Sequence, residues 1–270
     1  MGHILAIVNQ KGGVGKTTTA VNLAACLAQR GLRVLLVDAD SQGNATSGLG
    51  IERPNLAHCL YDVLVGEVAG EEALQRTPLD GLDLLPATIN LAGLEIELAQ
   101  LANPPRYFRE TRLKEALEPL RSRYDLLFID SPPSLGLLTI NSLTAADGVV
   151  IPVQAEYYAM EGVSQLLTAI AGVQRSLNPR LRIVGVVITM YDARTNLSRS
   201  VAREVRQFFG DKTFRTLIPR NVRLSEAPSH GLPINLYAAQ SAGGEAYAQL
   251  AEELMERLHL KPIPSKGEAP

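Results

Sequence analysis

The sequence is poor in cysteine: Cys26 and Cys59 are the two present in 270 residues. They lie far apart and make no C-x-x-C pair, which argues against a disulfide framework, a zinc site or an iron–sulfur cluster and leaves both as core candidates. No apolar run reaches eighteen residues, so no transmembrane helix is predicted. Met1-Gly2-His3 leads straight into an apolar strand, which leaves no room for a signal peptide, and the expected location is the cytoplasm. Repeats and long linkers are absent, and with 46% hydrophobic residues the chain can bury one core, so a single domain over residues 1–260 is expected. The Pro-, Lys- and Gly-rich end, residues 261–270, is expected to be disordered.

Against that background one segment stands out: Gln10-Lys11-Gly12-Gly13-Val14-Gly15-Lys16-Thr17-Thr18. It follows the apolar run Ile4 to Val8 and runs into a helical pattern from Thr19 onward. Strand, glycine turn and helix together form a polyphosphate cradle, because glycines let backbone N–H groups close around the oxygens while the helix N-terminus adds partial positive charge. Lys16 is placed to reach the β and γ phosphates and the Thr17 hydroxyl to ligate Mg²⁺. The strict G-x-x-x-x-G-K-[ST] pattern wants glycine at Gln10, so the match is to a variant, K-G-G-x-G-K-[ST]. Its extra lysine, Lys11, sits at the loop's mouth and could serve a neighbouring site.

Apolar β-type runs recur at residues 34–37, 82–85, 126–129, 149–153, 183–188 and 214–218. Helical patterns fall at 16–30, 109–122, 136–146, 161–177, 198–209 and 243–258. Strands apolar on both faces, alternating with helices, indicate a three-layer α/β fold: a mostly parallel twisted sheet with helices on both faces. Ligands in such sheets sit beyond the carboxyl ends of the strands, where the loop after Val8 falls.

Two more strand ends carry carboxylates. Val34 to Val37 is followed by Asp38-Ala39-Asp40, and Leu126 to Ile129 by Asp130. A strand-ending Asp often only caps a turn. Four apolar residues then Asp, paired with a phosphate loop in the same sheet, is the pattern that holds a metal-bound water in nucleotide hydrolases. The mechanism indicated is phosphoryl transfer to water, in which the protein supplies positioning and charge. Lys16 and Mg²⁺ neutralise the β/γ oxygens, Thr17 and Asp130 hold the metal, and Asp38 or Asp40 orients the attacking water. Asp40 is assigned that role and Asp38 is placed with the metal group.

These segments, with Val37 to Gly50, Ile129 to Gly136 and Ile218 to Pro228, give a chain that resembles the ParA/Soj ATPases of chromosome and plasmid partitioning, within the deviant P-loop group that also holds MinD. The likeness runs from Ile4 to about Leu258, with Ser41 standing where family members often carry proline. The resemblance implies a P-loop NTPase fold and ATP with Mg²⁺ as cofactors. It also implies an ATP-driven sandwich homodimer in which Lys11 contacts the partner subunit's nucleotide. Gly12 to Thr18 would cradle phosphate, and the segment around Pro219 and Asn221 would meet the adenine base. The dimer would bind double-stranded DNA without sequence preference, and a ParB/Spo0J-type partner would stimulate hydrolysis, which makes the protein nucleoid-associated.

Net charge is −2, but Arg194 to Arg223 holds eight basic residues against Glu204 and Asp211, a surplus of +6. Ser198 is read as an N-cap for the following helix, in which Arg199, Arg203 and Arg206 share one face while Val201, Val205 and Phe208 share the other. Charge runs are commonly just solvated; here the surplus against an acidic remainder favours a polyanion-facing surface. Arg194 and Arg223 match positions the family uses for DNA contact. With little interleaved aromatic content and no recognition-helix motif, contacts should go to phosphates.

The nearest rival is a MinD-like ATPase that binds membrane through a C-terminal amphipathic helix. The last helix carries Glu252, Glu253 and Glu256 with only Arg257 basic, so no stable membrane association is expected. A small-molecule kinase would need a lid insertion that is not seen. The phosphate loop begins too near the start for an additional DNA-binding domain, so autorepression is not expected.

Overall fold

The computed structural model describes residues 2–100, 105–157 and 159–261. The tail expected to be disordered lies, from residue 262 on, outside the described residues. Among the described residues one eight-stranded sheet is formed by β1 (His3–Ile7), β2 (Val34–Asp38), β3 (Gln75–Arg76), β4 (Leu82–Leu85), β5 (Leu126–Asp130), β6 (Gly148–Gln154), β7 (Arg182–Tyr191) and β8 (Thr213–Pro219). Their order is β3-β4-β2-β5-β1-β6-β7-β8, and every pairing is parallel except β3 with β4.

The helices are α1 (Lys16–Ala28), α2 (Asn44–Gly48), α3 (Leu60–Val65), α4 (Leu91–Gln100), α5 (Phe108–Leu117), α6 (Leu137–Ala145), α7 (Ala159–Ser176), α8 (Asn196–Phe209), α9 (Val222–Glu226), α10 (Ile234–Tyr237) and α11 (Ala242–Leu258). Side chains alternate across the central strands, as strand geometry demands. Leu5 and Ile7 of β1 join α1, α10 and α11 in one apolar layer, while Ile4 and Ala6 join α3 to α8 in the other. Both layers are apolar, which is why these strands read as unbroken hydrophobic runs.

The register brings the chemistry together. Ile7 at the end of β1 lies opposite Asp130 at the end of β5, and Asp38 at the end of β2 lies opposite the same Asp130. The glycine loop and two carboxylates therefore leave adjacent strands at one edge.

Several local expectations are corrected. The α8 helix starts at Asn196, capped by Thr195, whose hydroxyl accepts the Ser198 N–H at 3.2 Å. Ser198 is thus the capped residue and not the cap. Phe209, not Phe208, continues the buried stripe of Val201, Ala202 and Val205, because the stripe drifts with the 3.6-residue period; Phe208 is 59% exposed. The helix expected over 109–122 ends as α-helix at Leu117, where Pro119 opens a short 3₁₀ turn to Ser122. On α11, Glu253 faces inward, and Glu252 and Glu256 pair with Arg30 and Arg215, so that helix is less acidic outside than its sequence suggests. No helix among the described residues is long and apolar enough to cross a membrane.

Candidate functional site

Gly13 and Gly15 take φ of +75° and +86°, a left-handed backbone that side chains resist, and this turns the loop after β1 into α1. Gly15 is the N-cap of α1 and no side chain caps the helix, so its first N–H groups are left for an anion. The loop is tied down from outside. The Asn9 amide donates to Pro152 O at 2.8 Å while its oxygen accepts the Lys11 N–H at 3.0 Å. The Thr189 hydroxyl donates to Val14 O at 2.8 Å. Sequence reasoning missed Asn9 and Thr189. Asn9 could have been noticed as a polar residue ending a core strand; Thr189, 175 residues from Val14, gave no local signal.

Lys16 is buried, 6% exposed, and its ammonium donates to Lys11 O at 3.1 Å. Burial pulls its pKa down, and the nearby Asp130 and Asp40 carboxylates pull it back up. Lys11 is partly exposed, with its Nζ 4.0 Å from Glu156 Oε2.

The three carboxylates differ in what they already hold. Asp38 is fully buried; its Oδ1 accepts the Asp40 N–H, and its Oδ2 accepts both the N–H and the hydroxyl of Thr46, at 2.8 and 2.7 Å. Burial lifts its pKa to about 6 against those hydrogen bonds. Thr46 is a third residue the sequence reading did not single out, although it lies in the segment that follows Asp38. Asp40 Oδ1 accepts the Gln42 N–H at 3.0 Å, and Oδ2 has no partner among the described residues.

Asp130 is the outlier. Both its oxygens are buried and neither has a hydrogen-bond partner of normal geometry. Burial raises its pKa well above the usual carboxylate range, the Asp38 charge raises it further, and the Thr17 hydroxyl and Lys16 ammonium only partly offset this. A buried, partnerless carboxylate beside a hydroxyl and a phosphate cradle fits a divalent cation. No group of three or more His, Cys, Asp or Glu side chains poised for a metal occurs among the described residues. Mg²⁺ needs no such cage, since one or two carboxylates, phosphate oxygens and water complete its shell. Asp38, with both oxygens already accepting hydrogen bonds, fits that shell less directly than Thr17 and Asp130.

Beside the loop lies a cavity of about 270 Å³ whose lining includes Gly15, Thr18, Met190, Pro219, Asn221 and Tyr247. Asn221 Oδ1 accepts the Arg223 N–H, which leaves its amide N–H₂ without a partner among the described residues. Met190, at the end of β7, has a left-handed φ of +51°, a position that costs a non-glycine residue about 1 kcal/mol or more.

A family model described as an AAA domain matches residues 2–183. Sporulation initiation inhibitor protein Soj of Bacillus subtilis is 60% identical over 254 residues, covering 94% of this chain and 98% of that protein. Chromosome partitioning protein ParA of Caulobacter vibrioides is 54% identical over 257 residues, covering 94% of each. This chain belongs to the Soj/ParA family of partitioning ATPases. Among solved structures, cobyrinic acid a,c-diamide synthase from Mycobacterium smegmatis, with ADP and magnesium bound, superposes with a TM-score of 0.83 at 39% identity over 99% of this chain and all of that one. MinD of Pyrococcus furiosus superposes at 0.75 with 27% identity, covering 95% of this chain and 99% of that one. The synthase's name describes another reaction; the higher identity to Soj and ParA decides the family.

The basic segment, far from the cradle in sequence, lies along α8 and the loops at its start. Arg199, Arg203 and Arg206 line an open cleft on the outer face of that helix. Arg194, its side chain 89% exposed, is held by Asp192 at 2.7 Å, and Arg223 by Glu226 at 2.9 Å. Both carboxylates lie just outside the +6 stretch. Over residues 192–226 the tally is eight basic against four acidic residues, a surplus of +4.

Proposed function

We propose that this protein is an ATP hydrolase that binds ATP with Mg²⁺, dimerises face to face, grips double-stranded DNA as the dimer, and segregates a chromosome or plasmid. The single observation that carries the reading is the buried, partnerless Asp130 carboxylate set against Thr17, Lys16 and a glycine cradle. Thr17 and Asp130 would hold Mg²⁺, and Asp38 would support them. Bound there, the ion would neutralise charge developing on the β and γ phosphate oxygens. Backbone N–H groups from Gly12 to Thr18 and the Lys16 ammonium would bind the phosphates, while Pro219 and the Asn221 amide would receive the adenine. Asp40, with one oxygen uncommitted, would orient the attacking water. Lys11, partly exposed beside Glu156, would reach the partner subunit's nucleotide.

Two copies would present twice the positive surface of one, and because phosphate contacts multiply, only the pair would hold DNA at physiological salt. Arg194, Arg199, Arg203, Arg206 and Arg223 would make those contacts. A ParB/Spo0J-type partner would stimulate hydrolysis and release the complex. The protein would therefore be cytoplasmic and nucleoid-associated. The test is DNA retention with ATP, ADP and no nucleotide, for the parent and for Lys16→Ala, with light scattering on the same samples. The parent should be dimeric and DNA-bound only with ATP, and the variant should be neither. Retention that ignored nucleotide state would sink the reading.

A further inference from the structure

The cations along the α8 edge fall into two classes. Arg194, Arg215, Arg220 and Arg223 each sit within 4 Å of a carboxylate: Asp192, Glu256, Glu156 and Glu226 respectively. Arg203 and Arg206 on α8, Arg182 at the start of β7 and Lys212 in the turn before β8 have no ion-pair or hydrogen-bond partner for their side chains among the described residues.

These unpaired cations are not scattered. Arg182, Arg206 and Lys212 line one open cleft of about 840 Å³ at the amino ends of β7 and β8. Arg206 also lines the cleft it shares with Arg199 and Arg203, so the two lie side by side across that residue. Arg257 closes the cleft from below and is fully engaged: it donates to Val184 O, Lys212 O, Thr213 O and Glu253, with its guanidinium 4.1 Å from the Phe214 ring centre. Three acids also line this cleft. Glu253 is paired with Arg257 and Arg215, and Glu256 with Arg215. Only Asp211 then stands against three free cations.

A phosphate that takes a paired arginine must displace a carboxylate, whereas an unpaired arginine meets it without that loss. The α8 helix, at 14 residues, is about 20 Å long and carries the row from Arg194 at one end of the sheet to Arg182 and Lys212 at the other. That is the axial length of about six base pairs of duplex, whose charge is spaced evenly along the whole distance. We propose that Arg182, Arg206 and Lys212 form a second phosphate-binding track for duplex DNA, which continues the α8 row and carries the larger share of its salt-dependent attraction. This track rests on the DNA reading given under Proposed function and extends it to Arg182 and Lys212, which are not among the contacts named there.

The test measures DNA affinity by fluorescence anisotropy in ATP and Mg²⁺ across a salt series. The samples are the parent, Arg182→Ala/Lys212→Ala, Arg194→Ala, and Lys114→Ala on α5 as a basic residue placed elsewhere. The double variant should bind about tenfold more weakly at physiological salt and show a salt slope shallower by about two. Lys114→Ala should match the parent. The charge-keeping pair Arg182→Lys/Lys212→Arg should also match the parent, which guards against a folding defect. A double variant with the parent's affinity and slope, while Arg194→Ala still weakens binding, would overturn the track and leave the DNA reading standing. A parent that binds no DNA in ATP would overturn both.

Discussion

At the glycine cradle, charge is buried before any ligand arrives; along α8 it is left in water. Asp38, Asp130 and Lys16 lie inside the protein, and burial pushes the two carboxylates up in pKa and the lysine down. The α8 arginines are exposed: Arg199 bonds the Ala193 carbonyl and the Asn196 amide oxygen, and the flanking Arg194 and Arg223 pair with surface carboxylates. The first arrangement stores an unfavourable interaction that only a cation and a polyphosphate can relieve. The second stores almost nothing, because exposed pairs contribute little and salt screens them. One region is built for a single tightly defined ligand; the other is built for many weak and interchangeable contacts.

Glu253 sharpens the contrast. It is as buried as the site carboxylates, but it accepts the backbone N–H groups of Arg215 and Thr216, the Thr216 hydroxyl and the Arg257 guanidinium. Burial works to raise its pKa, and those hydrogen bonds outweigh it and bring the pKa below the usual glutamate range. It satisfies β8, the edge strand, from the side that no other strand covers.

Four measurements can break or sharpen this comparison. The largest effect should come from Asp40→Ala, which should lower kcat by about 10² to 10⁴-fold while ATP binding persists. Normal turnover in that variant would remove Asp40 from the mechanism. Next, Glu253→Gln should destabilise the protein by about 2 kcal/mol at neutral pH, read by denaturant titration. Because its folded pKa is depressed, the stabilisation exists above the unfolded pKa and fades as pH falls through the folded value.

The same acid-to-amide change at Asp130 should have the opposite sign. Asp130→Asn should stabilise the nucleotide-free protein by about 1 kcal/mol and abolish the extra stabilisation by ATP with Mg²⁺. The raised carboxylates bind protons in the folded state that the unfolded chain has released, so the free protein should lose stability as pH rises from about 4. That loss should continue through about 6, the value reached by Asp38, and should be smaller in the variant. Equal signs for Glu253→Gln and Asp130→Asn would end the distinction between the two regions. The smallest effect belongs to Asp192→Asn, which frees Arg194 and should tighten DNA binding up to about fivefold, most at low salt.

The cradle was legible in the sequence because glycine, lysine and threonine at fixed spacing act locally, and the parallel sheet was legible because strands apolar on both faces have few other uses. The α4 helix was missed although Leu91, Leu94 and Leu98 carry helical spacing, since the segment is short and lies between loops. The grip of Thr189 on Val14 and of Thr46 on Asp38 was invisible for a different reason: a hydroxyl's partner is set by the fold and not by its neighbours in the chain. The basic stretch misled in a third way. Its surplus was counted between Arg194 and Arg223, and the carboxylates that pair those two arginines stand two and three residues beyond the ends.

Thr189, which steadies the cradle, and Asp192, which holds Arg194, are three residues apart at the end of one strand. The interval is not regular extended chain: Met190 takes a left-handed φ and the β7–β8 register shifts there, so one specific backbone turn sets Asp192 relative to Thr189. Lineages could exchange the side chain of Tyr191 more freely than that of Met190, which is held at a left-handed φ and lines the cavity beside the loop, and gaining or losing one residue there would shift Asp192 relative to Thr189. Insertions and deletions should therefore be rarer in this short interval than in the loops on either side.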